Sequence, residues 1–174
     1  MTPDPSLERT APGKPRQPVK TAISTRVLPA DGVPVLRQLL GIFGEAFEDP
    51  HSYTKRQPSD AYLAKLLASD TFVAVASFAD GNVVGGLAGY VLPKFEQARS
   101  EFYIYDLAVA EPFRRRGVAT ELIKTMKLEA TKRGIHVLFV QADCGDAPAV
   151  ALYTKLGTRE DVMHFDIPPS DGAA

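Results

Sequence analysis

The chain has 174 residues, a formal net charge of −1 at pH 7 and one cysteine, Cys144. That length suits one domain with a single sizeable core; the balanced charge argues against non-specific nucleic-acid binding. A lone cysteine excludes an intrachain disulfide and the usual zinc clusters, and His51, His136 and His164 show no ligand spacing, so no metal is expected. No apolar run approaches the roughly 20 residues of a membrane helix, and the N-terminus lacks the apolar segment of a secretory signal. A cytoplasmic protein without membrane partners is the expectation.

Residues 1–20 carry five prolines (Pro3, Pro5, Pro12, Pro15, Pro18) and almost no large apolar side chains. Nothing there offsets the entropy of ordering them, which predicts a disordered extension before a single domain over 21–170. Ala22–Val27 is strand-like. Asp31 offers an N-cap, after which Val33, Leu36, Leu40, Phe43 and Phe47 recur at helical spacing. A polar segment, Glu48–Gln57, precedes a second helix begun near Ser59, with Leu63, Leu66 and Leu67 on its buried face. Thr71–Phe78 reads as a strand, Ala79-Asp80-Gly81-Asn82 as a turn and Val83–Leu92 as the returning strand. Gly85, Gly86 and Gly89 signal close backbone approach or a bulge.

After the polar loop Pro93–Ser100 comes a strand, Phe102–Val109. Pro112, three arginines and a helix over Gly117–Lys132 follow, the helix closed by Gly134. Ile135–Ala142 is mostly apolar, as a strand covered on both faces would be. A short helix, Ala147–Leu156, stops at Gly157, and a last strand is expected around Val162–Ile167. The order β-α-α-β-β-β-α-β-α-β has a crossover helix between the fourth and fifth strands. Such a crossover demands a parallel pair, so the fold is α/β with a mixed sheet.

Three places carry chemistry. Arg114-Arg115-Arg116-Gly117-Val118-Ala119-Thr120 joins an apolar strand to a helix N-terminus. Alone it would read as a solvated basic turn. In that position the unpaired N–H groups of the first turn and the helix dipole suit an anion, and a pyrophosphate fits the description. Asp106 lies inside an apolar strand, where a carboxylate costs stability unless it pairs across the sheet or faces a cleft. Glu101 near the start of that strand, and Asp143 and Asp146 beyond the fifth, would with Asp106 make an acidic pocket that selects a polycation. The plainer alternative for the last two is turn formation and helix capping. Tyr153, among Val150, Leu152 and Leu156, reads as core from local context. Cys144 has no histidine near it in sequence to activate it as a nucleophile.

The strand-end pair in Leu107-Ala108-Val109, the Arg-x-x-Gly-x-Ala loop and Ala149-Val150-Ala151-Leu152-Tyr153-Thr154-Lys155-Leu156-Gly157 together resemble the Gcn5-related N-acetyltransferases. Tyr90–Gln97, Tyr103–Val109, Val140–Asp143 and Val162–Asp166 are similar to one branch of that superfamily, the type I aminoglycoside 3-N-acetyltransferases, over about residues 22–167. The resemblance implies the acetyltransferase fold with splayed central parallel strands, acetyl-coenzyme A as co-substrate and a homodimer. It implies that Arg114, Arg115, Arg116, Gly117, Val118, Ala119 and Thr120 wrap the pyrophosphate, and that Leu107, Ala108 and Val109 meet the pantetheine arm through their main chain. Tyr153 becomes the proton donor to the departing thiolate, and Asp106, with Glu101 as second candidate, the base. Glu101, Tyr105, Asp106, Asp143 and Asp146 become the substrate-facing set. Members often carry asparagine where Asp146 stands, so its partner stays open. The implied reaction acetylates the 3-amino group of an aminoglycoside such as gentamicin. Another polyamine, a protein N-terminus or a non-catalytic acyl-coenzyme A sensor are the alternatives.

Overall fold

A computed structural model describes residues 22–169; the extension expected over residues 1–20 lies outside the described residues. In chain order the elements are β1 (Ile23–Val27), α1 (Val33–Ala46), α2 (Asp60–Leu67), β2 (Phe72–Ala79), β3 (Asn82–Pro93), β4 (Ser100–Val109), α3 (Val118–Lys132), β5 (Ile135–Val140) and α4 (Ala147–Leu156). A π-helical turn, His51–Lys55, precedes α2, and a 3₁₀ turn, Glu111–Phe113, precedes α3. The five strands lie in sequence order, β1 to β4 antiparallel and β4 parallel to β5. The mixed α/β sheet expected from the crossover is therefore present.

Local chemistry explains most boundaries. Ser59 caps α2, its Oγ accepting from Tyr62 N, which satisfies one of the donors a helix start leaves unpaired. The cap of α1 is Gly32 rather than Asp31, with no side-chain bond; Pro34 in its first turn presets the backbone instead. Asp80 and Gly81, with φ of 49° and 81°, form the left-handed turn whose twist suits the β2–β3 hairpin.

Two apolar layers sandwich the sheet. Phe102, Ile104, Leu87, Val73 and Val75 meet Val118, Leu122 and Met126 of α3 on one face. Ala74, Ala76, Ala88 and Ala108 meet Leu36, Leu39 and Phe43 of α1 and Leu63 of α2 on the other. The small residues of β3 let that second layer close in. A Cβ on Gly86 would stand 2.3 Å from Leu39 Cδ2; on the opposite, α3 side, one on Gly89 would stand 2.2 Å from the Tyr103 carbonyl oxygen, beside the Phe102 ring.

Two expectations fail at the C-terminal end. β5 is not covered on both faces: Ile135 is its one buried residue, and Val137 and Phe139 are exposed. The helices of the second layer pack on β2, β3 and β4 and stop short of it. Residues 158–169 form no strand, and Val162, Met163, Phe165 and Ile167 are exposed. Apolar alternation at 163, 165 and 167 carries strand propensity, yet propensity becomes a strand only against a neighbouring ladder.

Candidate active site

β4 carries a fault in its pairing, and the candidate site is built around it. Ala88 of β3 pairs with Asp106, but the next residue, Gly89, pairs with Ile104, so Tyr105 is the extra residue of a bulge. Phe102 and Ile104 both face α3. Strict alternation would send Asp106 into that same core, where a carboxylate would be ruinous. The bulge resets the parity. Asp106 emerges instead on the α1/α2 face, where Tyr53 Oη donates to its Oδ1 at 2.8 Å.

Asp106 is half-buried, and burial raises its pKa against the opposing pull of the Tyr53 hydrogen bond. No Lys, Arg or His among the described residues forms an ion pair with it. A carboxylate whose proton affinity is raised and which lacks a protein cation can take a proton from an approaching ammonium. Tyr53 was not foreseen. It lies on the π-helical turn inside the segment read as a polar spacer, wedged against Phe43 and Phe47 at centroid distances of 6.1 and 5.7 Å. Such single π-turns recur at functional sites. A lone tyrosine amid polar residues was the signal available.

Beside Asp106 the sheet comes apart. Pairing between β4 and β5 ends at Ile104 with Val140, while β4 runs on to Val109. Tyr103 Oη donates to Gln141 Oε1 at 2.7 Å, tying the two strands where they part. Ala110 N–H bonds the Val84 carbonyl on the β3 side. Because main-chain groups alternate along a strand, the N–H groups of Leu107 and Val109 address the open edge. Ala108 points its buried side chain into the α1 layer, and by the same alternation its main-chain groups face β3 rather than the gap. Backbone donors aimed at a gap beside a carboxylate are what acyl transfer needs to hold a developing oxyanion.

The arginine loop closes the far end of that gap. Arg114 Nε donates to the Val109 carbonyl at 3.0 Å, anchoring the loop to the last residue of β4. Arg116 lies over the Phe113 ring, 5.2 Å from its centroid. Arg115 and Gly117 take positive φ, 60° and 84°, and Gly117 caps α3 without any side-chain bond. The first-turn N–H groups of Val118, Ala119 and Thr120 therefore have no capping side chain of their own. With three arginines on the loop that leads into them, these residues fit the pyrophosphate of coenzyme A.

The remaining candidates divide. Tyr153 packs against the α3-side core that also receives Leu107 and Val140. Burial, and then Asp146, push its phenol up to about 12, so it keeps its proton at neutral pH. Asp106 and Tyr153 thus lie toward opposite faces of the sheet. Asp146 is the cap of α4, its Oδ1 accepting from Ala149 N at 3.0 Å. Asp143 and Cys144 lie in the exposed loop after β5. Glu101 stands at the opposite end of β4 and is engaged by Lys94 (3.8 Å) and Arg99 (3.4 Å). Of these four carboxylates, Asp106 is the one that is both half-buried and without an ion pair among the described residues. Tyr105, beside it, is exposed.

A model of the acetyltransferase (GNAT) family matches residues 36–158. An aminoglycoside acetyltransferase structure from an uncultured soil metagenomic sample is 52% identical, with a TM-score of 0.83, over 86% of this chain and 99% of that one. A second aminoglycoside acetyltransferase from such a sample, solved in complex with sisomicin, is 29% identical, with a TM-score of 0.78, over 85% and 97%. Among curated proteins, an N-alpha-acetyltransferase of Sulfurisphaera tokodaii is 28% identical over 49% of this chain and 58% of its own. The ribosomal protein bS18 alanine N-acetyltransferase of Escherichia coli is 30% identical over 41% and 49%. The chain spans about half the length of these curated relatives. Fold, loop and family match agree, and the chain belongs to the GNAT family of acetyltransferases.

Proposed function

We propose that this acetyltransferase moves acetyl from acetyl-coenzyme A to the 3-amino group of the 2-deoxystreptamine ring of aminoglycosides such as gentamicin. The observation that carries acetyl transfer to an amine is Asp106. It is half-buried, free of any protein cation among the described residues, and stands where β4 parts from β5. The choice of acceptor draws on the 52% identical aminoglycoside acetyltransferase.

In this reading the arginine loop and the start of α3 bind the pyrophosphate, and the open edge of β4 holds the pantetheine arm by its main chain. Asp106 accepts a proton from the acceptor ammonium. The amine then attacks the thioester carbonyl, and the N–H of Leu107 or Val109 donates to the oxygen as charge builds on it. Tyr153 gives its proton to the sulfur as the carbon–sulfur bond breaks, and the second proton, shed by the nitrogen as it becomes an amide, restores the phenol through water. Holding both substrates in one gap supplies much of the rate gain, since it removes the entropy of bringing them together.

Protein N-termini form a second reading, favoured by the two curated relatives, an N-alpha-acetyltransferase and a ribosomal protein bS18 alanine N-acetyltransferase. One assay separates them: thiol release from acetyl-coenzyme A with gentamicin, spermidine and a short peptide as parallel acceptors. Release with gentamicin, and product acetylated at the 3-amino position, supports the first reading. Release with peptide alone moves the protein to the second, and silence with all three leaves an acyl-coenzyme A sensor.

A further inference from the structure

The helices of the α1/α2 layer leave part of their sheet face bare, and that part is aromatic. Tyr90, Tyr105, Tyr103 and Phe139, from β3, β4 and β5, form a continuous chain of rings with centroid spacings of 5.7, 5.7 and 5.0 Å. Tyr103 and Phe139 stack on each other, 12° apart. Tyr105 stands at 89° to Tyr90 and 78° to Tyr103, and is 62% exposed. A ring perpendicular to both neighbours and so exposed keeps a face for something else.

Asp106 belongs to the same patch. Tyr53 bonds it, and its charge contributes to the raised pKa values of Tyr53, Tyr90 and Tyr103, after burial in each case. The patch therefore combines a carboxylate without a cation, four phenols and a free ring face. Ring faces are electron-rich, attracting cations and the weakly positive edges of C–H bonds. A linear polyamine or a peptide N-terminus satisfies the carboxylate but has no rigid surface to lay on a ring. A saturated ring bearing ammonium groups satisfies both at once.

We propose that Tyr105, flanked by Tyr90 and Tyr103 and backed by Phe139, is the platform on which an amino-substituted saturated ring stacks while its ammonium meets Asp106. The inference rests on the amine-acceptor reading above and adds the element that selects a ring over a chain. The charge complementarity of Asp106 favours this occupant over an apolar one, the alternative being a second copy of the chain seated on the same rings.

Calorimetric binding to the full chain, without acetyl-coenzyme A, keeps the test independent of turnover. Gentamicin and spermidine are titrated into the wild type, Tyr105→Leu, Tyr105→Phe and Phe139→Leu, with circular dichroism confirming folding. Removing the Tyr105 ring should weaken gentamicin by about tenfold and spermidine by less than threefold, while Tyr105→Phe restores the wild-type values. Equal weakening of both ligands, no weakening of gentamicin, or no gentamicin binding to the wild type would overturn the platform. So would a dimer that Phe139→Leu splits into monomers with gentamicin binding unchanged, since the rings would then be a subunit interface. Gentamicin that binds as expected but is never acetylated would keep the platform and discard the reaction.

Discussion

β2 and β5 belong to one sheet and live in different surroundings. All eight residues of β2 are buried, whereas β5 buries only Ile135. β2 lies between α3 and the α1/α2 layer, with ladder partners on both sides; β5 has β4 on one side and bare aromatic rings on one face. The first arrangement maximises apolar burial, which scales with area removed from water. The second leaves the end of β4 unpaired, with its backbone donors, a gap and half-buried Asp106, each a cost to folding and a requirement of chemistry. β4 stands between them, and its bulge falls near the end of its ladder with β5. Substitutions on the β5 side of that boundary should therefore cost activity, and those on the β2 side should cost stability.

The largest effect expected is that of Asp106→Asn, which should lower turnover by about 10²- to 10⁴-fold, the range for a lost general base, with coenzyme binding kept. Its stability should not fall. The fold raises the Asp106 pKa, so between its unfolded and folded values the native state binds more protons, and stability declines as pH rises through that window. Above it the full cost of a buried charge is present, and neutral Asn removes that cost. A thermal midpoint at pH 7.5 below that of the wild type would break the comparison from the active side. Gly89→Ala tests the other side. A Cβ 2.2 Å from the Tyr103 carbonyl oxygen cannot be housed without moving backbone, and about 3 kcal/mol should be lost in urea unfolding.

Tyr153→Phe should lower turnover by only about tenfold, because water can deliver the proton to sulfur; a loss equal to that of Asp106→Asn would make the two groups partners in one step. Tyr53→Phe should have the smallest effect. The Tyr53 hydrogen bond lowers the Asp106 pKa, so its removal should move the acidic limb of the rate profile to higher pH and leave the plateau nearly intact.

Much of this was legible in the residues. Helical and strand periods placed every element through α4 within a few residues, because Leu36 and Phe43, or Leu122 and Met126, bury a single stripe whatever the topology, although Leu39 rather than Leu40 completes the stripe of α1. Gly89 announced a close approach. What the sequence could not show was parity. From Ile104, counting by two places Asp106 in the wrong core, and only the ladder reveals that Tyr105 is surplus. Tyr53 was hidden because its partner is 53 residues away, and the engagement of Glu101 by Lys94 and Arg99 arises only once the chain has folded. Val162–Ile167 read as strand since propensity is local, and pairing is not.

The extra residue in β4 also has a genetic meaning. Loss of the single codon for Tyr105 would leave the reading frame intact and give β4 the same count as β3 across Ile104 to Asp106. The strand would straighten, Asp106 would keep its face, and the chain of rings from Tyr90 to Tyr103 would lose its middle member. The product of such an allele should still fold and bind the acceptor less tightly, by about the tenfold expected for removing the Tyr105 ring. For this strand, one in-frame triplet would set how firmly the acceptor is held without touching the carboxylate beside it.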